Sequence, residues 1–570
     1  MTTIESPPPP AEPAEPAAPR SHWRVDIPDA SVDDMRPVKW MFYLALVGLA
    51  IGAAAGFLQA FERLDVNLYD AVGLDSYYQG LTLHGVTLAL VLTFNFASSF
   101  MSLTTMRGFG RPLASRALSW AACGLAWAGV VLAAAAMLSN KATVLFTFYP
   151  PLQAAPIFYV GAVLLVVSTW VVLLNQILTY REWRKDRPVE RIPLLAYVSM
   201  LTFIMWFIAS LGIAIEVLVF VLPWSLGWRE AIDPQLARTL FWFTGHPIVY
   251  FWLLPVYVSW YMMLPRMCGG RIFSDGLTRV VFIAFLLLIP VGVHHQFTDP
   301  GIPFSSKTIM WILTVCIFMP SVATAFSIIA GLEEGGRKAG GKGLLGWVWK
   351  LPWGNPAVSG QLLAGLVFML GGASGFINAS YTVNLQVHNT AFIPGHFHLT
   401  VGTGVALSIM AISYWLVPYF TGKQLFARGL AVFQTFLWVV GVLTFSRGQM
   451  WGGTNGMPRR TQISDATYLD NHNWDWANIL TGIGGTIMVL SSVLFFVVIV
   501  GTIYSRRLVS ETQRIPVVEV AHGPRRKWVI LDNLWLWVGI TLALVALVYG
   551  EVFWHYLPIN EVSETGFQLW

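Results

Sequence analysis

The chain has 570 residues, of which 56% are hydrophobic and 11% are charged, and its formal net charge is +5. Soluble domains carry roughly 25% charged residues, so the composition excludes an ordinary soluble enzyme and indicates an integral membrane protein. The basic excess follows the membrane topology described below, which argues against nucleic acid as a partner. The three cysteines are widely spaced and predict neither a disulfide framework nor a thiolate metal site.

The first 36 residues form a segment rich in proline and alanine. The stretch PPPPAEPAEPAAP has few large apolar side chains, so we predict a disordered cytoplasmic tail over 1–36. The tail lacks an apolar core of its own and is therefore not a cleavable signal peptide. Residues 37–570 are predicted to form one transmembrane domain.

Apolar runs long enough to cross a hydrocarbon core of ~30 Å as helices recur along the rest of the chain. Short loops join these runs, which predicts an all-α bundle of thirteen transmembrane helices. The predicted spans lie near 40–60, 81–103, 115–138, 154–178, 193–222, 236–264, 276–295, 308–332, 358–381, 395–418, 426–447, 477–504 and 530–553.

Lysine and arginine are distributed unevenly between the two sides of this bundle. When the sides alternate at each span, the tail and the loops on its side hold 27 of the 35 basic residues, and the opposite side holds eight. The positive-inside rule then places the N-terminus in the cytoplasm and the C-terminus in the periplasm. An even number of spans would spread these charges more evenly, so the asymmetry also supports thirteen.

Seven of the eleven histidines are predicted to lie in the outer half of the membrane. A single intramembrane histidine is more often a hydrogen-bonded core residue than a ligand, but polar groups in a bilayer are costly and mark function. The shared depth of the seven favours one common site. They are His84, His246, His294, His295, His388, His396 and His398. The other four receive no role: His22, His472, His522 and His555.

His396 and His398 open the tenth predicted span. Residues two apart point about 200° away from each other on an α-helix, so these two imidazoles cannot bind the same metal. One of them, joined to His84 across the bundle, makes a haem with two histidine ligands. The other makes a haem with one histidine and an open face.

His246, His294 and His295 are predicted to converge opposite that open face. The adjacent pair ends the seventh span just before TDPGIP, where a fraying helix end lets both rings turn toward one point. Three neutral imidazoles suit copper, as they suit zinc or iron. Tyr250 follows His246 by four residues and therefore shares its helical face.

Arg459 and Arg460 form a basic pair on the outer side, against the orientation rule. One interpretation is a loop pair that meets Asp465 or a lipid headgroup. The other is a clamp for a bound anion, because a guanidinium binds a carboxylate through two parallel hydrogen bonds. Haem propionates would supply such anions, and His388 could hydrogen-bond at the same place.

Four motifs carry a family resemblance. They are GHPIVYFWLLP (245–255), GVHHQFTDPGI (292–302), HNTAFIPGHFHLT (388–400) and MPRR (457–460). With them the sequence resembles the central subunit, subunit I, of the haem–copper oxygen reductases, over essentially the whole chain after the tail.

The resemblance implies a role for each histidine of the site. His84 and His398 correspond to the ligands of a low-spin haem, for which b-type is the expectation. His396 corresponds to the proximal ligand of a high-spin, oxygen-binding haem of a- or b-type.

The same resemblance implies one copper ion bound by His246, His294 and His295. Tyr250 corresponds to the tyrosine that is covalently joined to the first copper histidine, here His246. That tyrosine can donate an electron and a proton when the O–O bond breaks.

Two positions concern protons: one departs from the commonest family pattern, and the other departs from the B-type pattern. Ile248 stands where the commonest oxidases carry a glutamate, and this resembles the B-type oxidases, which have a single proton path. Asn384, four residues before His388, stands where the B-type pattern has an aspartate near the haem propionates. Because an amide cannot titrate, either the propionate and His388 hold the transferred proton alone or the loading site is shifted.

A proton path can be sought on two helix faces that descend from the site. Serine and threonine often bond their own helix carbonyls, and tyrosine can be core, but two such faces below one site favour a path. It is also the pattern of the B-type oxidases. The residues are Tyr257 and Tyr261 on the sixth span, and Ser321, Thr324 and Ser327 on the eighth.

The resemblance implies a terminal respiratory oxidase, a cytochrome c oxidase, in a bacterial or archaeal-type inner membrane. It would reduce O₂ to water, coupled to proton translocation. Electrons would come from cytochrome c or a similar donor through a subunit II with a dinuclear copper, since this chain has no cysteine pair for one. A small additional helix subunit is a further possible partner. The alternatives are a quinol oxidase, a nitric oxide reductase with iron in place of copper, and a proton transporter without haem.

Overall fold

The computed structural model describes residues 26–290, 294–462, 474–509, 514–523, 526–559 and 561–568. Most of the predicted tail lies outside these ranges, as do His22, His472 and Asp465. The interpretation that pairs Asp465 with the two outer arginines therefore concerns a residue outside the described part of the chain.

The first helix, α1, spans Val32–Glu62 and starts inside the segment that we predicted to be a disordered tail. Its N-terminus is set by a capping box, in which the Ser31 hydroxyl accepts from the Asp34 amide and the Asp34 carboxylate accepts from the Ser31 amide. Residues 32–36 of the predicted tail are thus helical, because this local signal precedes the apolar run.

The helices that follow in the N-terminal half are mostly long and apolar. In chain order they are α2 (Tyr77–Val86), α3 (Thr93–Phe109), α4 (Arg116–Leu138), α5 (Pro156–Asp186), α6 (Leu194–Ile215), α7 (Leu222–Ser225), α8 (Pro234–Gly245), α9 (Pro247–Met262), α10 (Leu264–Met267) and α11 (Asp275–Leu288).

The C-terminal half continues in the same way. Its helices are α12 (Phe304–Cys316), α13 (Phe318–Lys338), α14 (Pro356–Ala379), α15 (Tyr381–Val387), α16 (Phe392–Leu399), α17 (Ala406–Thr421), α18 (Arg428–Thr454), α19 (Asp475–Tyr504), α20 (Leu534–Glu551) and α21 (Leu557–Ile559).

Two small sheets lie outside the helices. Strand β1 (Ala231–Ile232) pairs antiparallel with β4 (Glu564–Thr565). Strand β2 (Ile272–Ser274) pairs in parallel with β3 (Val520–His522).

Twelve continuous helical segments among the described residues are long and apolar enough to cross a membrane. The seventh predicted span, near 276–295, is present as α11, which has 14 residues and is too short to be counted with them. Such a helix rises about 21 Å, less than the hydrocarbon core of a bilayer. The count of thirteen is reached only when α11 is included, because this helix ends before the histidine pair that the sequence placed at its end.

Within the described ranges, four π-helical turns interrupt the spans. They are Thr87–Leu92, Glu216–Val221, Thr400–Val405 and Val552–Tyr556. The first begins three residues after His84, and the third begins two residues after His398. A π-helical turn is rare and is frequently found at functional sites, so its position beside two predicted haem ligands is informative.

Glycine allows α16 to lie close against α18. A Cβ at Gly453 would overlap the Phe392 backbone at the start of α16, and a Cβ at Gly395 would come 2.7 Å from Met450 Cγ. Small residues let membrane helices approach until their backbones touch. The helix that carries His396 and His398 is held against its neighbour in this way.

Tryptophan marks both ends of α20. Trp535, near its start, is 86% exposed, and Trp554, just beyond its end, is 89% exposed. Tryptophan is enriched at the two membrane–water interfaces, so this pair fits a helix that spans the bilayer at the edge of the bundle.

Candidate metal centre

His246 lies at a break between two helices. Helix α8 ends at Gly245 and α9 begins at Pro247, whose ring removes the backbone donor that would continue the hydrogen-bond ladder. The side chain is 4% exposed. The predicted sixth span nevertheless runs continuously over Pro234–Met267, because His246 itself keeps α-helical backbone angles.

His246, His294 and His295 come together although about fifty residues separate the first from the other two. His246 Nδ1 lies 3.2 Å from His295 Nε2, and the ligand atoms of all three lie within 4.8 Å of one another. This is close to the roughly 4 Å that two metal–nitrogen bonds to one ion can bridge. Among the described residues it is the one group of three or more potential metal ligands, and it contains no carboxylate.

Trp242 fixes the orientation of His295. Its indole lies parallel to the imidazole, with ring centroids 3.8 Å apart and an interplanar angle of 5°. Trp242 precedes His246 by four residues, so the last turn of α8 supplies the ring that stacks on His295. We did not predict this residue from the sequence, although the i, i+4 spacing was a visible signal.

Tyr250 lies beside His246 as the helical spacing predicted. The two ring centroids are 5.4 Å apart. His246 Nε2 is buried and has no hydrogen-bond partner among the described residues, so this ring atom is not committed to another contact.

His84 and His398 face each other across the bundle. Their ring centroids are 6.3 Å apart and the rings are nearly parallel, at 12°. His84 Nδ1 donates to the Gly52 carbonyl at 2.8 Å, and His398 Nδ1 donates to the Pro394 carbonyl at 2.8 Å. Each Nδ1 is therefore occupied, which leaves Nε2 of both rings available to a metal ion. The space between them admits one ion at metal–nitrogen bonds of about 2 Å.

His396 is bonded on another side of the same helix. Its Nδ1 lies 3.1 Å from the Gly371 carbonyl and 2.9 Å from Ser374 Oγ, both on α14. Phe397, between the two histidines, contacts the rings of Phe146 and Trp252. The predicted separation of His396 from His398 is confirmed, because one ring faces α14 and the other faces His84.

Arg459 and Arg460 lie in a loop that pairs with the segment before α16. Thr390 forms an antiparallel bridge with Pro458, and Arg459 Nη2 donates to Asn389 Oδ1 at 2.8 Å. Arg460 has φ of +59°, a conformation that costs a non-glycine residue about 1–3 kcal/mol and that clusters at functional sites.

Neither arginine forms an ion pair with a carboxylate in the part of the chain that the structure describes. Burial and the charge of Arg460 lower the pKa of Arg459 to about 9. A half-buried, mutually repelling cationic pair of this kind is stabilised by a bound dianion. The chemistry of the pair thus fits the two carboxylates of a haem.

His388 lies near this pair. Its Nδ1 donates to Asn384 Oδ1 at 3.2 Å, and its Nε2 is buried without a hydrogen-bond partner in the described ranges. Burial and the Arg459 charge lower the pKa of His388 to about 4, so the imidazole is neutral at pH 7. Asn384 is held in turn by the Asn378 carbonyl, to which its Nδ2 donates at 2.7 Å.

The two hydroxyl-bearing faces meet between α9 and α13. Tyr261 Oη donates to Thr324 Oγ1 at 3.0 Å, and the Tyr257 hydroxyl faces Ser321. Both tyrosines are 1% exposed. Ser327, one turn beyond Thr324, is also buried and interacts with Tyr261. All five predicted path residues therefore lie along one seam of the bundle.

Known proteins are similar to this chain in both sequence and fold. The family described as Cytochrome C and Quinol oxidase polypeptide I matches residues 36–487. Cytochrome c oxidase subunit 1 of Thermus thermophilus is 40% identical over 548 residues, 93% of this chain and 96% of the relative. A probable quinol oxidase subunit 1 of Staphylococcus haemolyticus is 28% identical over 48% of this chain and 38% of the relative.

A solved structure, described as a cryo-EM structure of a haem–copper terminal oxidase dimer, superimposes with a TM-score of 0.87. It shares 34% sequence identity and covers 95% of this chain and 96% of its own. The family match and the identity to the Thermus subunit extend over most of the chain. The chain therefore belongs to the Cytochrome C and Quinol oxidase polypeptide I family and is an oxidoreductase of the haem–copper terminal oxidase type.

Proposed function

We propose that this subunit reduces O₂ to water with electrons from cytochrome c and couples the reaction to proton translocation. The observation that carries the proposal is the division of six histidines into three sets. Three converge as one metal site, two form a nearly parallel facing pair, and one stands alone with its Nδ1 occupied. Two haems and one copper ion account for all six.

Each set has the donor chemistry of the group assigned to it. His84 and His398 would hold the low-spin haem, expected to be b-type, and His396 would hold the high-spin haem of a- or b-type. The three converging histidines would hold copper, which neutral imidazoles suit. When bound, these groups supply electron transfer and the binding and reduction of O₂.

Tyr250 supplies a proton and an electron to the reacting oxygen as the O–O bond breaks. Its place beside His246 supports this role, since a proton donor must lie within reach of the reacting atoms. The free Nε2 of His246 agrees with the covalent tyrosine–histidine link that the family resemblance implies.

Arg459 and Arg460 bind the haem propionates, and His388 completes this outer site. Because Asn384 accepts from His388 Nδ1, the unpartnered Nε2 of His388 is an acceptor that can hold a transferred proton. The amide of Asn384 orients this imidazole but cannot titrate. Either the propionates and His388 hold the proton, in which case the propionate charge raises the pKa of His388 when haem is bound, or the loading site is shifted.

Protons reach the site from the cytoplasm along the seam between α9 and α13. The Tyr261–Thr324 hydrogen bond and the facing Tyr257 and Ser321 hydroxyls support this path. Ile248 stands where the family resemblance implies a glutamate in the commonest oxidases. It is 5% exposed and offers no alternative proton acceptor. These features together support assignment to the B-type group with a single proton path.

Replacing Tyr261 with phenylalanine removes the hydroxyl that bonds to Thr324. We expect proton uptake during turnover to slow by about tenfold or more, because a positioned transfer group is lost, while both haem spectra remain intact. Flow-flash measurement with a pH indicator checks this. Tyr414→Phe is the matched control, since it removes another buried tyrosine hydroxyl, one that bonds to Gln434. Equal uptake rates in the two variants would contradict the path.

Replacing His84 with alanine tests the low-spin haem. We expect this variant to lose that haem and its absorbance band, because one of two axial ligands is gone, and to retain the high-spin haem. Pyridine haemochrome analysis and reduced-minus-oxidised spectra of the purified protein give the number and type of haems. His555→Ala, at an exposed histidine, should keep both. Two haems in the His84 variant would show that the assignment is wrong.

The partners follow from what the chain does not carry. Its three cysteines are far apart in sequence, so a subunit II with dinuclear copper brings electrons from cytochrome c or a similar donor. A small additional helix subunit is a further proposed partner. The proposed location is the inner membrane of a bacterial or archaeal-type cell, with the N-terminus in the cytoplasm and the C-terminus outside.

Three alternatives are less well supported. The name of the staphylococcal relative, probable quinol oxidase subunit 1, indicates quinol as the electron donor, but that relative aligns with only about half of this chain. Nitric oxide reductases add a glutamate ligand to iron and lack the tyrosine, whereas the three-histidine group here includes no carboxylate and lies beside Tyr250. A non-haem transporter would not need two histidines bonded on different sides of α16.

A further inference from the structure

His396 differs from the other two proposed haem ligands in how its Nδ1 is bonded. His84 and His398 each donate to a single backbone carbonyl at 2.8 Å. His396 Nδ1 instead faces two oxygens, the Gly371 carbonyl at 3.1 Å and the Ser374 hydroxyl at 2.9 Å. Of the three ligands, this is the one with a side-chain partner.

Ser374 is oriented to accept from this ring. Its Oγ donates to the Gly371 carbonyl at 2.8 Å, so its own hydrogen is used and its lone pairs face His396. Since Nε2 is the metal-binding atom, Nδ1 carries the hydrogen, and that N–H is shared between two acceptors. The hydroxyl is 5% exposed, so water does not compete strongly for it.

The surrounding backbone brings these groups into contact. A Cβ at Gly371 would come 2.6 Å from Thr400 Cγ2, and a Cβ at Gly375 would come 3.1 Å from His396 Cε1. Both glycines therefore let α14 approach α16 closely enough for the serine hydroxyl to reach the ring. The segment GGASG at 371–375 thus packs closely against the His396 imidazole and supplies both hydrogen-bond acceptors of its Nδ1.

We propose that Ser374 is a positioning residue that raises the electron density of His396 and thereby sets the reduction potential of the high-spin haem. An acceptor on Nδ1–H makes the opposite nitrogen a stronger ligand, and a stronger ligand favours the oxidised iron. The hydroxyl is the closer of the two acceptors. Its removal therefore weakens the ligand more than a shorter hydrogen bond to the Gly371 carbonyl would strengthen it. This inference rests on the proposed role of His396.

The test is Ser374→Ala in the full oxidase. We expect the iron–histidine stretching band in resonance Raman spectra of the reduced enzyme to move to lower frequency. We also expect the high-spin haem to be easier to reduce by up to about tenfold in the one-electron equilibrium, which is 59 mV. The low-spin haem potential should stay unchanged and serves as an internal reference. Ser374→Thr, which keeps a hydroxyl, should restore the band and the potential.

Ser359→Ala is the matched control. Ser359 is another fully buried serine of α14, about 22 Å along the helix, and its hydroxyl lies near Thr435. An unmoved or raised band in Ser374→Ala, or an equal shift in Ser359→Ala, would overturn the inference. A separate variant, His396→Gly, should lose the high-spin haem. If it retained that haem, the ligand assignment itself would fail, whatever the serine variant showed.

Discussion

Tyr250→Phe is expected to lower O₂ consumption by about 10²–10⁴-fold, the range that a positioned proton donor contributes. Phenylalanine keeps the aromatic ring, which packs against Phe285, so folding and haem content should be unaffected. The hydroxyl is lost, and with it both the proton and the electron that the tyrosine supplies as the O–O bond breaks. An oxygen electrode with a reduced cytochrome c or an artificial donor measures the effect.

Tyr549→Phe is the matched control for this variant. Tyr549 is also buried, and its hydroxyl has no hydrogen-bond partner in the described part of the chain, so its removal should leave turnover unchanged. Haem spectra of both variants must first agree with the wild type. Near-normal turnover of Tyr250→Phe under these conditions would remove the tyrosine from the mechanism.

His294→Ala is expected to lower the copper content by more than about tenfold, since loss of even an outer-shell partner costs 10–100-fold in metal affinity. His246 and His295 alone leave two imidazole ligands. O₂ reduction should fall with the copper, whereas both haems should remain, because their proposed ligands lie on other helices. Metal analysis by mass spectrometry, expressed per haem, measures the ratio directly.

A surface histidine provides the comparison for copper binding. His522 in β3 is exposed, so His522→Ala should retain copper at the wild-type ratio to haem. If His294→Ala also retained that ratio, the ion would be bound elsewhere and the three-histidine site would be wrong.

Local helical spacing accounts for part of the histidine pattern. Side chains two residues apart on an α-helix point in different directions, so helical geometry alone separates His396 from His398. Side chains four residues apart share a face, which places Tyr250 beside His246. Span positions followed from the length of apolar runs in the same way. The family resemblance then supplied what geometry left open, namely which member of the tenth-span pair joins His84.

What the sequence did not show depends on contacts between distant segments. Ser374 meets His396 across 22 residues, and no periodicity links a serine of one span to a histidine of the next. The early end of α11 was also not predicted, because the apolar run continues beyond Leu288. The pairing of the arginine loop with Thr390 likewise requires the folded chain.

The π-helical turn at Thr400–Val405 has a consequence for how this span tolerates change in length. A π-helical turn holds one more residue than the α-helical turn it replaces, and each residue rotates a helix by about 100°. Deleting one residue here would therefore convert the π-helical turn into an α-helical one and leave both halves of the span in their present phase. His396 and His398 would keep their places, and Ser408 would still accept from Trp260 Nε1, which now lies at 3.2 Å. The span can thus lose one residue at this turn without reorienting its inner half, and a one-residue gap here among relatives would record a missing π-helical turn rather than a changed helix phase.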